Sequence, residues 1–299
     1  MHVTNFCGKI TKKQKGINMN IKQALEYGIE LLKENNIDEP ILKARILLAN
    51  ILERNKEYLL IHEIEELNDD DINKYRKNII RLCKGEPVQY ITNKQEFMGL
   101  EFYVDENVLI PQPDTEILVE EVIKISKEMK VKKILDLCTG SGAIAVSLAK
   151  YLSDVEITAI DISHKAIKTA KKNAVFHKVE DRITFLESDL FGNLKNQKYD
   201  LIVSNPPYIK KDLIKKLDKQ VQKEPYIALD GGYDGLDFYR KIIKEAYEYL
   251  KYGGYLCLEI GYDQKDDVID LINKEHQYSK TYVKKDLCNN DRVVITRVL

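Results

Sequence analysis

The sequence predicts an α/β fold, a mostly parallel sheet covered by helices, preceded by a small helical bundle. Three observations carry this. From Lys132 onward, short apolar runs alternate with amphipathic stretches, the pattern of a parallel sheet buried on both faces. Residues 20–84 hold helical periodicity only. An apolar run, Tyr199–Ser204, stops at Asn205-Pro206-Pro207-Tyr208, and two prolines cannot continue a central strand.

Taken in order, residues 1–18 are polar and basic and precede Met19, just before the first amphipathic pattern. Either they form a disordered extension or translation starts at Met19. Residues 19–86 form the expected helical domain. Ile21, Leu25 and Leu32 mark its first helix, and Asp38-Glu39-Pro40 is expected to open a second as cap, acid and first-turn proline. Asn68-Asp69-Asp70-Asp71 opens another, with Ile72, Tyr75, Ile79 and Leu82 on one face, before Gly85 and Pro87 end it. Residues 87–112 change period. Val88–Ile91, Glu101–Val104 and Val108–Ile110 are expected as short strands of a β-hairpin linker, with Met98-Gly99 in a turn. Asp114 or Thr115 is expected to cap the next helix, and residues 113–299 form the α/β domain. Its expected strands are Ile134–Cys138, Val155–Ile160, Ile183–Leu186, Leu201–Ser204, Tyr255–Ile260, Ser279–Val283 and Val293–Arg297. Helices are expected at Ala143–Tyr151 and Ser163–Phe176.

Composition narrows the function classes. Hydrophobic residues are 44% of 299, enough for a sizeable core, so global disorder is excluded. Lys+Arg (47) and Asp+Glu (48) nearly cancel, so no overall charge argues for direct nucleic-acid binding. The five cysteines are scattered without a CxxC pair, so neither zinc nor a disulfide framework is expected. Free thiols suit a reducing cytoplasm. His2, His62, His164, His177 and His276 share no metal-ligand spacing, and no metal is expected. No apolar run approaches the ~20 residues of a membrane span.

The chemistry gathers at strand ends. In Asp136-Leu137-Cys138-Thr139-Gly140-Ser141-Gly142, the glycines let backbone approach a ligand, and the following helix offers free N–H groups. Asp161, about twenty residues on, can accept both ribose hydroxyls of a nucleoside, or cap the Ser163 helix, or do both. Asp189 can accept from an adenine amino group, with Leu190 against the ring. Asn205 and the Pro206 carbonyl offer acceptors for the hydrogens of a planar amino group.

Glycine turn, two acids and NPPY, ordered along one sheet edge, resemble the class I S-adenosylmethionine-dependent methyltransferases. That resemblance implies a seven-stranded Rossmann-like sheet. Other segments resemble the PrmC/HemK family of peptide chain release factor N5-glutamine methyltransferases: Gly85–Ile91, Glu96–Gly99, Val108–Glu116, Glu224-Pro225 with Ala228-Leu229, Gly231–Leu236 and Asp291–Val294. The resemblance covers about residues 20–299. It departs at Gln112, where the family usually carries arginine, and at Cys138, where glycine is usual.

The resemblance implies methylation of the glutamine side-chain amide in the Gly-Gly-Gln motif of class 1 peptide chain release factors. The donor would be S-adenosyl-L-methionine and the product S-adenosyl-L-homocysteine. Cys138, Thr139, Gly140, Ser141, Gly142, Asp161, Asp189, Leu190 and Asn205 are then expected to bind the cofactor. Asn205, Pro206 and Tyr208 are expected to be catalytic. Pro207 and Phe97 join them in holding substrate, Phe97 as a wall around the methyl group. NPPY equally suits an adenine exocyclic amine in DNA or RNA. That alternative predicts a basic groove, and the neutral charge balance speaks against it.

Overall fold

A computed structural model describes residues 19–195 and 197–299, so the expectations for residues 1–18 fall outside the described residues. The chain divides into two compact units, one ending at Thr92 and the other spanning Asn93–Leu299.

The first unit pairs β1 (Met19–Asn20) with β2 (Glu66–Leu67) beside helices α1 (Ile21–Glu34), α2 (Pro40–Leu52), α3 (Lys56–Ile61), α4 (Asp69–Cys83) and α5 (Val88–Thr92). Ile21, Leu32, Leu47, Leu48, Ile79 and Leu82 bury their apolar faces in one core. Asn20 starts α1 through a capping box. Its side chain accepts from the Gln23 N–H at 2.9 Å, and Gln23 Oε1 accepts from the Asn20 N–H at 3.0 Å. Asn68 caps α4 by accepting from the Asp71 N–H.

Two expectations fail in this unit. Asp38 is not a cap: Glu39 takes that place, in left-handed backbone and without a side-chain bond, while Asp38 pairs with Lys43 at 2.6 Å. Val88–Ile91 is helical, not a strand. The Tyr90 and Ile91 N–H groups both donate to the Pro87 carbonyl, and Thr92 Oγ1 donates to the Val88 carbonyl. Four apolar letters are too few to distinguish a period of 2 from one of 3.6.

In the second unit, β3 (Gln95–Phe97) and β4 (Leu100–Phe102) form a hairpin. Met98 and Gly99 turn it with φ of 53° and 66°, the left-handed pair that a two-residue turn requires. The expected strand at Val108–Ile110 is extended loop instead. The Ile110 N–H is taken by the buried Glu224 carboxylate at 2.9 Å, not by a neighbouring strand. Helix α6 (Pro113–Met129) follows, with Gln112 at its cap position and no side-chain cap bond, so neither Asp114 nor Thr115 caps it.

The sheet then builds from β5 (Lys133–Leu137), β6 (Glu156–Asp161), β7 (Ile183–Glu187), β8 (Tyr199–Ser204), β9 (Leu250–Glu259), β10 (Tyr282–Lys285) and β11 (Asp291–Arg297). Its order is β7-β6-β5-β8-β9-β11-β10. Strands β5 to β9 run parallel, β11 runs antiparallel to β9, and β10, antiparallel to β11, points the same way as the first five. The seven-stranded sheet inferred by resemblance is therefore present. The terminal hairpin's first strand starts at Tyr282, three residues later than expected.

Alternate strand residues enter separate cores. Ile134, Ile157, Leu201, Val203 and Ile295 pack on one face, and Leu135, Leu137, Ile160, Ile202 and Leu256 on the other. Leu118 and Val122 of α6 and Ala145 and Leu148 of α7 (Ala143–Tyr151) cover the first face. Tyr239 and Ile243 of α10 (Asp237–Ala246) and Val268 of α11 (Lys265–Asn273) cover the second. The remaining helices are α8 (His164–Phe176) and the single turn α9 (Tyr226–Leu229). Burying each large aliphatic side chain contributes about 1.5–3 kcal/mol, which holds the strand ends in fixed register. The order in which strands are added across the sheet reverses between β5 and β8, and such a switch point leaves a crevice at the C-terminal edge.

Candidate active site

Cross-strand bonds stitch this edge together. Ser204 Oγ donates to the Leu137 carbonyl at 2.8 Å, the Thr139 N–H to the Ile160 carbonyl at 2.8 Å, and the Ser188 N–H to the Asp161 carbonyl at 3.0 Å. The loops after β5, β6, β7 and β8 are thus anchored side by side. Between them lies a cavity of about 210 Å³, far beyond the size of a water site. Cys138, Gly140, Asp161, Asp189, Leu190, Asn205 and Pro207 line it.

The turn after β5 is held from below. Asp136 is fully buried and accepts from Thr139 Oγ1 at 2.6 Å; burial pushes its carboxyl up to about 7. Gly140 has φ of +55°, and a Cβ there would meet no atom within 4 Å, so its open side faces space where a ligand can come close. Gly142 serves packing instead: at φ +79°, a Cβ would stand 3.0 Å from the Ala170 Cβ. Thr139, Ser141 and Gly142 shape the turn without lining the cavity; the Ser141 carbonyl accepts from Asn173 Nδ2 at 2.8 Å. Cys138 lies among acids, and burial pushes its thiol up, which makes it a poor nucleophile.

Asp161 is not the cap of the helix that follows, and its carboxylate instead joins two turns beside the cavity. Its two oxygens accept the Ser163 and Gly140 N–H groups, each at 2.9 Å, tying the β6 turn to the β5 turn. Burial raises its pKa, and those N–H bonds oppose the rise. The helix cap belongs to Ser163, whose Oγ accepts from Ala166 N at 3.2 Å. Asp189 is exposed, and Leu190 is buried with φ +46°.

The NPPY turn rests on a network that sequence reading missed. Asn205 Nδ2 donates to Thr115 Oγ1 at 3.1 Å. Neither Asn205 Oδ1 nor the Pro206 carbonyl makes a hydrogen bond among the described residues. The Tyr208 hydroxyl donates to Glu259 Oε1 at 3.3 Å, and its ring packs on the second core. Gly231 and Gly235 wrap the Tyr208 backbone: a Cβ at Gly231 would fall 2.6 Å from Tyr208 Cα, and one at Gly235 2.5 Å from its carbonyl oxygen. Gly231 and Gly235 are there for close backbone approach.

Phe97 departs from expectation. It is fully buried against Phe102, ring centroids 6.0 Å apart, in the core under α6 and does not line the cavity. Its place in a hairpin facing helix α6 explains this. The cavity's outer wall is instead Val108, Leu109, Ile227, Ala228 and Phe238, with Lys241 the only basic lining residue among the described residues. The apolar run at Val108–Ile110 was a usable signal for that wall.

Comparison with known proteins follows this geometry. The Methyltransferase small domain family matches residues 112–223, and the PrmC N-terminal domain family matches residues 23–92. A release factor glutamine methyltransferase of Clostridium acetobutylicum is 42% identical over 280 residues, covering 93% of this chain and 98% of its own. One from Fusobacterium nucleatum is 44% identical over 272 residues, covering 90% and 76%. Among solved structures, a methyltransferase from Pyrococcus furiosus shares the fold at TM-score 0.50 and 17% identity, covering 74% of this chain and 98% of its own. The hMettl16 catalytic domain, in complex with MAT2A 3'UTR hairpin 6, aligns at TM-score 0.54 and 16% identity, covering 78% and 84%.

Proposed function

The chain belongs to the release factor glutamine methyltransferase family, and we propose that it methylates the side-chain amide nitrogen of the Gly-Gly-Gln glutamine in class 1 peptide chain release factors. The methyl donor is S-adenosyl-L-methionine. The cavity's chemistry fits that donor. A diol and a net positive charge suit the Asp161 and Asp189 carboxylates, and the bare face of Gly140 admits a bulky group. When bound, the donor supplies an electrophilic methyl on a sulfonium sulfur.

The residues must then make a poor nucleophile react. An amide nitrogen's lone pair is delocalised into its carbonyl. Asn205 Oδ1 and the Pro206 carbonyl accept its two hydrogens. They hold the nitrogen still and stabilise the positive charge that develops on it. Orientation of this kind can supply roughly 7–11 kcal/mol in favourable cases. Tyr208, held by Glu259, packs beside the flat amide, and Pro206-Pro207 keeps the turn rigid. No helix among the described residues is long and apolar enough to cross a membrane.

The observation that supports this reading best is the direction of the Asn205 amide. With Nδ2 committed to Thr115, its oxygen is the free end. Incubation with labelled donor, release factor, its Gln→Ala loop variant and duplex DNA tests the reading. Label is expected in release factor alone. Label in DNA with none in release factor would overturn it in favour of an adenine amine substrate.

A further inference from the structure

An asparagine amide has two ends of nearly equal shape, and only one of them accepts hydrogen bonds. Something must decide which end faces the substrate. Behind Asn205 stands Thr115, and beside Thr115 stands Glu259, 1% exposed at the end of β9. No hydrogen bond of normal length joins Thr115 and Glu259 among the described residues, but the carboxylate lies close enough for the Thr115 hydroxyl to favour its charged form. A carboxylate only accepts, so its charge draws the hydroxyl hydrogen its way. The hydroxyl oxygen is then an acceptor toward Asn205, which answers with Nδ2. The relay Glu259–Thr115–Asn205 has one polarity from the core to the cleft.

We infer that Glu259 and Thr115 are positioning residues that lock the Asn205 amide with its oxygen toward the substrate nitrogen, an inference that rests on the proposed function. The lock needs a charged Glu259. Burial pushes this carboxyl up to about 7, while the Thr115 hydroxyl, the Arg292 guanidinium and the Tyr208 hydroxyl favour its charged form. The groups facing it are Arg292 of β11, Asp114 and Thr115 of α6, and Tyr208 of the NPPY turn; Tyr239 of α10 donates to its main-chain carbonyl at 2.8 Å. Arg292 is itself held by Asp114 and Asp286, each at 3.0 Å. Glu259 Oε2 has no hydrogen-bond partner among the described residues. A protonated Glu259 could donate to Thr115, reverse the relay and release the amide to flip.

Glu259→Gln keeps shape but supplies a donor. Its kcat on release factor should fall about 10–100-fold, as when supporting partners of metal ligands are removed, with cofactor affinity and KM unchanged. Wild-type kcat should rise as pH rises through about 7, and the variant's profile should be flat there. Thr115→Ser should keep activity, and Thr115→Val should lose it as Glu259→Gln does. Exchange of the Asn205 Nδ2 protons, followed by NMR, should be slow in wild type and fast in Thr115→Val. Wild-type kcat and pH profile in Glu259→Gln would overturn the inference, as would equal damage by Ser and Val at 115. A wild-type enzyme that leaves release factor unlabelled would overturn the proposed function instead. The proton exchange, which needs no substrate, would then still decide whether the relay exists.

Discussion

Asn205 sits where one sheet edge, one rigid turn and one buried relay meet. On the proposed reading, Asn205→Ala would remove an acceptor aimed at developing charge, an effect worth about 10²–10³ in kcat in comparable sites. Cofactor affinity, measured by calorimetry, should change little. Asp161→Ala should do the reverse and weaken cofactor binding, since it removes a carboxylate from the cavity and frees the Gly140 N–H. At this scale the sequence was informative where a residue's type was unusual for its place. Two prolines after an apolar strand could hardly be missed. Thr115 could: a threonine near a helix start reads as a cap, and only the folded chain shows its hydroxyl turned toward Asn205. Glu259 lay in plain view as a charge closing an apolar strand. Nothing local said that Arg292, 33 positions on, would face it.

Elements were legible when long and periodic, and illegible when short. Strands β5, β6 and β8 and helices α7 and α8 fall close to where their patterns put them. Val88–Ile91 and Val108–Ile110 do not, because tertiary partners outweigh propensity over three or four residues. Pro87 recruits the first into a helical turn, and Glu224 holds the second as loop. The loop from Gly231 to Gly235 makes a sharper element-scale prediction. Gly231→Ala forces a methyl against the Tyr208 backbone at 2.6 Å. It should destabilise the fold by about 1–3 kcal/mol, as overpacking does, seen as a lower Tm. It should also lower kcat by displacing the NPPY turn.

For the whole molecule, every cavity-lining residue lies between Asn107 and Lys241, inside the second unit. A fragment of residues 93–299 should therefore bind S-adenosyl-L-methionine as tightly as the full chain, checked by calorimetry. Stability should also depend on pH in a defined way. Asp136, Glu224 and Glu259 are raised to about 7 in the fold, against ordinary values of 3.8 and 4.5. Between those limits the folded chain binds more protons than the unfolded one, so stability falls as pH rises from about 5 to about 8. Asp286 works oppositely, held down to about 2 first by its backbone bond from Asn290, with Arg292 adding to the effect. Its contribution is present above the ordinary carboxylate range and is lost only below it. Tm measured without cofactor should therefore be higher at pH 5 than at pH 8.

On the proposed reading, the paired oxygens of Asn205 and Pro206 would amount to a device that counts hydrogens. A fresh glutamine amide offers two and satisfies both. Once methylated, the nitrogen would carry one and leave one oxygen unanswered, so on the proposed reading a second round would be disfavoured. A glutamine that has deamidated to glutamate offers none and sets its own negative oxygens against them. Sites built around a substrate N–H reject analogues lacking it by about 10⁴–10⁵. A chemically aged release factor would then be passed over without any separate proofreading site.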